Sequence, residues 1–345
     1  MNVTTNSTQE TVDGSYVHPI PSVFRVIFTS FVTFAIIVSN IINLTCMRHL
    51  KQLPKTSRLC LLNLSCADIM VGLFACLPSI YPSCIDKWPY SIDFCQVSGM
   101  FHGVSVTVSI WSLGLVSIDR HLAITRPYRY GQLVTPCRLY IVFGGLWLGA
   151  SITFMTPILQ SLPESYYKYS HAENMCAMYW IDNFWYCLIT GIYIPIFSGL
   201  ILMSTSCHIA KIARNQVRRI QNLEVIEHEG KVSKSDMRAI RVLGTTAIAY
   251  FLSWGTYTAV AVVSSGDVRV PDVISWIATW IANCNSFMNV IIYSYVNRMY
   301  RKMVWRLLVS VISCKIRMLT TEGIRRIGDD ISDEMSNNRE MVEIG

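Results

Sequence analysis

The sequence FCQVSGMFHGVSVTVSIWSLGLVSIDRH occupies residues 94–121 and decides the fold. Residues 94–118 contain no Asp, Glu, Lys or Arg, and the stretch closes on Asp119 and Arg120. A helix needs about 20 mainly apolar residues to cross a bilayer. The stretch is therefore predicted to be a transmembrane helix that ends in a charged pair at the membrane surface.

Six more stretches have the same length and apolar character. They are residues 26–47, 59–85, 139–163, 183–210, 242–266 and 273–297, and Asp68 is the ionisable acid within them. The sequence is 52% hydrophobic and 15% charged, whereas soluble domains are about 25% charged. A soluble helical fold would need polar outer faces at helical period, and these stretches have almost none. The sequence predicts an all-α membrane protein, a seven-transmembrane helix bundle with a short amphipathic eighth helix.

Lysine and arginine mark one side of the membrane. They cluster in the connections after the first, third and fifth spans and after the seventh, whereas the other connections are acidic or mixed. The positive-inside rule then predicts an extracellular N-terminus and a cytosolic C-terminus in a multi-pass plasma-membrane protein. The net charge of +7 faces anionic lipid and a cytosolic partner, with no role in binding nucleic acid.

The chain is predicted to have one membrane domain and two tails. Residues 1–23 form a glycosylated extracellular N-terminus, with sequons at Asn2 and Asn6 and no cleaved signal peptide. Residues 24–312 form the seven-transmembrane domain with the eighth helix, and the charged connection at 212–236 extends the helices beside it. Residues 313–345 form a disordered cytosolic tail. Cys314 is either palmitoylated or a free thiol.

Two cysteines are suited to a disulfide on the outer side. Cys95 begins the third span and Cys176 lies in the connection between spans four and five, so both face the oxidising side. They are the best pair in the chain, and Cys84 is a weaker competitor. Such a bond would draw the connection at 164–182 across the mouth of the bundle.

Landmarks in all seven spans resemble those of one family. In chain order they are Asn40, residues 63–68, Trp88, Cys95, residues 119–121, Trp147, Pro157, Pro195, Trp254 and residues 289–293. Their order and spacing resemble the rhodopsin-like, or class A, G-protein-coupled receptors over nearly all of residues 25–315. The resemblance implies a receptor that transduces an extracellular signal, or a built-in constitutive one, to a heterotrimeric G protein.

Three short segments relate the chain to one subgroup within class A. Residues 117–125 (SIDRHLAIT), 132–139 (QLVTPCRL) and 280–287 (WIANCNSF) are similar to a small subgroup of orphan receptors without aminergic features. That subgroup also has a residue other than proline where this chain has Val290.

The resemblance implies a charged switch where the third span meets the cytosol. Asp119 pairs with Arg120, His121 replaces the family's usual tyrosine, and Tyr293 takes part from span seven. Asp236 is placed against Arg120 in the resting state. Once released from both carboxylates, Arg120 would meet a G-protein helix. The alternative is a surface charge that snorkels.

A second implied site surrounds Asp68, whose carboxyl is costly near mid-membrane. The resemblance places Ser109, Asn285, Ser286 and Asn289 around it, and this oxygen-rich set suits an allosteric Na⁺. The alternatives are a hydrogen-bond network without an ion and a protonated Asp68. No other cofactor is expected.

The resemblance also places a ligand pocket in the outer half of the bundle. The residues assigned to it are His102, Ser105, Trp254, Tyr257, Thr258, Thr279 and Asn283. His102 stands where amine receptors have an aspartate, and the outer halves of spans three, five, six and seven contain no acid. A cationic amine would then lack a carboxylate partner, which disfavours the alternative of a biogenic-amine-like receptor. The expected ligand is an unidentified small molecule or peptide. Trp276 and Trp280 belong either to the pocket wall or to bundle packing.

Three departures from the family pattern concern activation. Thr256 and Val290 replace familiar prolines, and Met203 replaces a tyrosine. Without those prolines the helices should be straighter, unless Gly255 or the Thr256 hydroxyl bends span six. The missing prolines, the absent pocket carboxylate and an aromatic loop at 164–182 over the pocket together predict ligand-independent signalling. Met203 works in the opposite direction, because the tyrosine that it replaces supports the active state.

Other functional classes fit the sequence less well. It contains no His-Glu-x-x-His or Gly-x-Ser-x-Gly motif of an enzyme. Asn283 stands where an opsin has its retinal lysine. A transporter usually shows repeats, broken helices or several buried charges, and here only Asp68 lies deep in a span. A membrane transporter is the less favoured alternative to a receptor.

Overall fold

The computed structural model describes residues 17–50, 53–159, 167–178, 188, 190, 194–222, 234–265, 270–296, 298, 300–307, 309–310 and 313. Within these ranges the side chains of residues 157, 159, 213–222, 234–240 and 265 are not described. The predictions for Asn2, Asn6, Cys314 and the tail lie outside the described residues.

Seven long helices dominate the described part of the chain. They are α1 (Ser22–His49), α2 (Lys55–Val71), α3 (Ile92–Thr125), α4 (Pro136–Leu159), α5 (Ile194–Asn222), α6 (Lys234–Ser265) and α7 (Asp272–Val296). The first six, with α2 extended to Cys76, are long and apolar enough to cross a membrane. In α7, Asn283, Asn285 and Asn289 lower the hydropathy, and all three are buried inside the bundle. The predicted all-α membrane bundle is confirmed.

The second span differs from the predicted continuous stretch at 59–85. After Val71 the chain forms a π-helical turn, Gly72–Cys76, and then turns into a short helix, Pro82–Ile85. Prolines 78 and 82 explain the break, because proline lacks the N–H that would continue the helical ladder. Asp86 follows in the left-handed region, with φ 54°.

The charged connection after span five is shortened by its flanking helices. α5 continues to Asn222 and α6 begins at Lys234. The prediction that residues 212–236 extend these helices is therefore confirmed for the described residues. A separate compact unit begins at Arg298, and within it residues 300–307 are helical.

A β-hairpin follows α4. Strands β1 (Tyr167–Ser170) and β2 (Met175–Met178) are antiparallel, with Tyr167 opposite Met178 and Ser170 opposite Met175. Cys176 in β2 forms a disulfide with Cys95 in α3. The predicted pairing is confirmed, and Cys84 is a free thiol. We call this end of the bundle the disulfide end and the opposite end the Arg120 end.

The packing of α1 against α7 settles the role of two tryptophans. Trp276 and Trp280 are almost fully buried and belong to a cluster with Val32 and Ile36 of α1. The ring of Phe28 lies 5.2 Å from Trp276 and 6.4 Å from Trp280, measured between centroids. The packing alternative is therefore the correct one for both residues.

Candidate functional site

Asp119 is the centre of the polar cluster at the Arg120 end. Its Oδ2 accepts hydrogen bonds from Nε and Nη2 of Arg120, at 2.9 and 2.6 Å, and from Oγ of Ser57 at 2.7 Å. Its Oδ1 accepts a bond of 2.5 Å from the hydroxyl of Tyr130. A carboxylate has about four acceptor sites, so the four observed bonds saturate it.

These bonds join three elements around a buried charge. Ser57 comes from α2, and Tyr130 comes from a short helix, Pro127–Leu133, that follows α3. The hydroxyl of Tyr130 lies 2.8 Å from that of Thr56. Burial and the bond to Asp119 raise the pKa of Tyr130, so this residue stays a neutral donor. Asp119 is 3% exposed, whereas the side chain of Arg120 is 21% exposed.

The sequence did not identify Ser57 or Tyr130 as members of this cluster. Of the residues it did identify, His121 has its ring centroid 5.0 Å from that of His208 in α5. Tyr293 lies in the last turns of α7, within electrostatic range of both Arg120 and Asp119. The side chain of Asp236 lies outside the described residues, so its pairing with Arg120 stays a prediction.

Asp68 lies at the centre of the bundle and is fully buried. Its Oδ1 accepts a hydrogen bond of 2.6 Å from Ser109, and its Oδ2 accepts a longer one of 3.5 Å from Asn289. Ser286 also bonds to this carboxyl. Asn285 is buried in the same part of α7, but among the described contacts it makes none with Asp68.

This arrangement offers hard oxygen donors from three helices. The carboxylate oxygens, two hydroxyls and the amide oxygen of Asn289 are the ligand types that alkali and alkaline-earth cations prefer. They also satisfy one another as a hydrogen-bond network. The residues present therefore fit Na⁺, although the contacts are complete without it.

A cavity opens at the disulfide end between α3, α4, α5, α6, α7 and the hairpin. It contains about 730 Å³ of empty space, part of it open to the surroundings. Of the residues predicted for the pocket, its wall includes His102, Trp254, Tyr257, Thr279 and Asn283. A hydrogen bond of 3.2 Å links Nε2 of His102 to Oδ1 of Asn283.

Two predicted pocket residues do not line this cavity. Ser105 is fully buried, and its hydroxyl donates to the backbone carbonyls of Phe101 and His102 at 2.6 and 3.1 Å. Thr258 is half-buried on α6 and is not part of the wall. Both sit on the correct helices at a rotation that turns them away, which a spacing argument could not resolve.

The hairpin contributes a wall residue that the sequence did not identify. Glu173, in the turn between β1 and β2, lines the cavity and bonds to the side chain of Thr279. Burial raises the pKa of Glu173 to about 7. One signal was available, because Glu173 is three residues from Cys176 and the disulfide fixes that segment over the bundle.

The hairpin is held from several sides. The hydroxyl of Tyr167 donates to the carbonyl of Phe154 in α4 at 2.8 Å. A β-carbon added to Gly99 of α3 would lie 2.6 Å from the Tyr167 ring, so glycine is what permits this contact. Nε1 of Trp280 in α7 donates to the carbonyl of Glu173 at 3.1 Å.

A buried ion pair completes the attachment. Arg25 of α1 is 1% exposed and donates to both carboxylate oxygens of Asp86, at 2.5 and 2.9 Å. It also donates to the side chain of Asn174 in the hairpin turn at 3.0 Å and to the carbonyl of Ile20 at 2.9 Å. The hairpin, α1 and the segment after α2 are thereby tied together.

α6 shows the back-bonding that the sequence analysis named as the exception to a straighter helix. The Thr256 hydroxyl donates to the carbonyl of Leu252 at 2.7 Å, a contact that often bends a helix. Met203, in the position of the family's tyrosine, is exposed on α5, and Val290 is buried in α7.

A bundle of seven apolar helices, with a disulfide-linked loop at one end and a charged pair at the other, defines a membrane receptor. Residues 39–293 match the family described as 7 transmembrane receptor (rhodopsin family). The chain belongs to this family. It is a G-protein-coupled signalling receptor of the plasma membrane, and the resemblance seen in the sequence is confirmed.

Several curated relatives agree with this assignment. The chain is 28% identical to G-protein coupled receptor 52 of Bos taurus over 289 residues, which cover 81% of this chain and 79% of that protein. It is 26% identical to neuropeptide FF receptor 2 of Rattus norvegicus, over 83% of this chain and 73% of that protein. It is 30% identical to the histamine H2 receptor of Cavia porcellus, over 73% and 70%.

Proposed function

We propose that the chain carries a signal from the disulfide end, facing the outside of the cell, to a heterotrimeric G protein at the cytosolic Arg120 end. The distribution of Lys and Arg supports this orientation, because they concentrate in the connections at the Arg120 end. A tag at the N-terminus should accordingly be accessible to antibody on intact cells, and one at the C-terminus only after permeabilisation.

The saturated carboxylate of Asp119 is the observation that carries the proposal. If Arg120 leaves to meet a G protein, Asp119 still accepts bonds from Ser57 and Tyr130. The buried charge is then never left without partners, a situation that would cost several kcal/mol. Arg120 can therefore move at a reduced cost, as a two-state switch requires.

The proposal includes signalling without added ligand. Tyr167, Glu173, Ala177 and Met178 of the hairpin line the cavity, so part of the wall that an agonist would touch is already covered by the receptor itself. A chain that supplies such contacts can populate its active packing alone.

The test measures nucleotide exchange by purified G proteins of each class on receptor in lipid nanodiscs. We expect exchange above empty discs with at least one class, and its loss in Arg120→Ala at equal receptor amounts. Arg129→Ala removes an exposed cation from the neighbouring short helix and should leave exchange unchanged. Full exchange by Arg120→Ala would remove this residue from the mechanism, and no exchange with any class would refute ligand-independent signalling.

We further propose that Na⁺ binds at Asp68 with Ser109, Ser286 and Asn289, and that Asn285 supplies a more distant contact. Bound sodium would favour the packing in which these helices converge on one carboxylate. Exchange should fall when NaCl replaces choline chloride, and Asp68→Asn should abolish this difference. An equal sodium response in wild type and variant would refute the sodium site, and the contacts of Asp68 would then be a hydrogen-bond network without an ion.

A further inference from the structure

Glu173 is held in place by its backbone as well as its side chain. Its carbonyl accepts the bond from Trp280 at 3.1 Å, and its N–H lies 3.3 Å from the hydroxyl of Ser170. The neighbouring Asn174 has φ 58° and is fixed by Arg25. The carboxyl is therefore presented to the cavity by a rigid turn.

This carboxyl has a hydroxyl partner but no cationic one among the described residues. Arg25, the buried cation of the same region, already makes its ion pair with Asp86. The described wall of the cavity contains no Lys or Arg. A carboxylate removed from water without a counter-charge is costly, so the cavity favours an occupant that brings positive charge.

The other wall residues favour a ligand whose uncharged part is aromatic or apolar. Phe154, Tyr167, Trp254 and Tyr257 supply aromatic surface, and the centroids of the last two rings lie 5.6 Å apart at 79°. Aromatic faces attract cations and pack against apolar or aromatic groups. An anionic ligand would instead meet the like charge of Glu173.

Trp254 adds a second polar feature. It is 8% exposed, and its buried Nε1 has no hydrogen-bond partner among the described residues. A buried donor without an acceptor is unfavourable. A ligand whose aromatic face lies over Trp254 Nε1 would accept this N–H as an N–H···π contact.

We propose that the cavity binds a small protonated amine with an aromatic body, whose charge pairs with Glu173 and whose body lies against Trp254 and Tyr257. This inference rests on the proposed function, which places the cavity at the extracellular end. It reverses the argument from the sequence, because the carboxylate comes from the hairpin and not from α3. The hairpin would anchor the amine, and His102 of α3 lines the same cavity.

The test uses matched cationic and neutral probes on purified receptor in nanodiscs without G protein. Tryptamine and 2-phenylethylamine are compared with indole-3-ethanol and 2-phenylethanol, which replace the amine with a hydroxyl. Binding is followed by the shift in melting temperature at pH 8, above the pKa of about 7 that burial gives Glu173. At least one amine should raise the melting temperature in a saturable manner, and its alcohol should not.

Two variants assign the binding to the carboxylate. Glu173→Gln keeps the size and the bond to Thr279, and should weaken amine binding by about tenfold or more, since a charge-assisted bond is lost. Asp93→Asn removes an exposed negative charge at the same end and should bind as the wild type does. The melting temperature of each variant without probe shows that it is folded.

Three results would overturn the inference: no binding of either amine, equal binding of the alcohols, or unchanged binding by Glu173→Gln. Because binding is measured without G protein, these outcomes are independent of nucleotide exchange. Amine binding without nucleotide exchange would refute the proposed coupling and keep the ligand site. Nucleotide exchange without amine binding would refute the ligand site and keep the coupling.

Discussion

Replacing Asp86 with asparagine should destabilise the receptor through the buried cation that it leaves behind. Arg25 is 1% exposed and keeps only neutral partners in this variant, the carbonyl of Ile20 and the side chain of Asn174. Asparagine tolerates the left-handed conformation of residue 86, whose φ is 54°, so the substitution tests charge and not backbone strain.

The expected magnitude follows from the environment of the pair. Removing one partner of a buried ion pair costs about 3–5 kcal/mol. The side chain of Asp86 is 20% exposed, and the amide oxygen of asparagine still accepts one bond, so the lower value of about 3 kcal/mol applies. At roughly 2 °C per kcal/mol for a large domain, the melting temperature should fall by about 6 °C.

The assay is thermal unfolding of purified receptor in nanodiscs, followed by tryptophan fluorescence. Asp93→Asn serves as the control, because Asp93 is exposed in the first turn of α3 and contributes about 0.3–1 kcal/mol there through the helix dipole. The double variant Arg25→Met and Asp86→Asn should recover part of the loss, since it leaves no unpaired charge. Equal melting of Asp86→Asn and Asp93→Asn would refute the reasoning.

Three further substitutions test other contacts. Burial raises the pKa of Glu173 from 4.5 to about 7, so its stabilising contribution is complete below pH 4.5 and is lost as the pH rises through 7. The melting temperature of Glu173→Gln should therefore lie above that of the wild type at pH 8 and equal it at pH 4.5. A difference in melting temperature that does not change with pH would contradict this. Tyr130→Phe removes an alternative partner of Asp119 and should lower nucleotide exchange about tenfold, since a hydrogen bond to a charged group contributes about 1.5–3 kcal/mol; unchanged exchange would mean that Asp119 does not govern the release of Arg120. Gly99→Ala places a β-carbon against the ring of Tyr167 and should lower the free energy of unfolding by about 1–3 kcal/mol. An unchanged melting temperature would show that the hairpin moves to accommodate the methyl group.

The parts of the fold that local chemistry determines could be predicted from the sequence. Seven apolar stretches gave seven helices, because each stretch must satisfy its own backbone within a bilayer. Asp119 and Arg120 are adjacent, so their contact required no knowledge of tertiary structure. The disulfide followed from the side of the membrane on which Cys95 and Cys176 lie.

The remaining parts depend on rotation and on loop geometry. Ser105 lies three residues from His102, a spacing that places two side chains near one face without deciding which of them lines a cavity. Trp276 and Trp280 are one turn apart, and such a pair can face a pocket or another helix equally well. Glu173 reaches the cavity through a hairpin whose register and turn are set by its partners, and Tyr130 reaches Asp119 through a turn after α3.

The attachment of the hairpin gives the cavity one stationary side. Glu173 is fixed through α1, α3, α4 and α7, while Trp254 and Tyr257 belong to α6. The length of a molecule that bridges these two sides would set the distance of α6 from the fixed carboxyl of Glu173. Lengthening the chain between amine and ring one methylene at a time should then change the maximal G-protein response stepwise. This response would depend on the length of the molecule and not on its affinity.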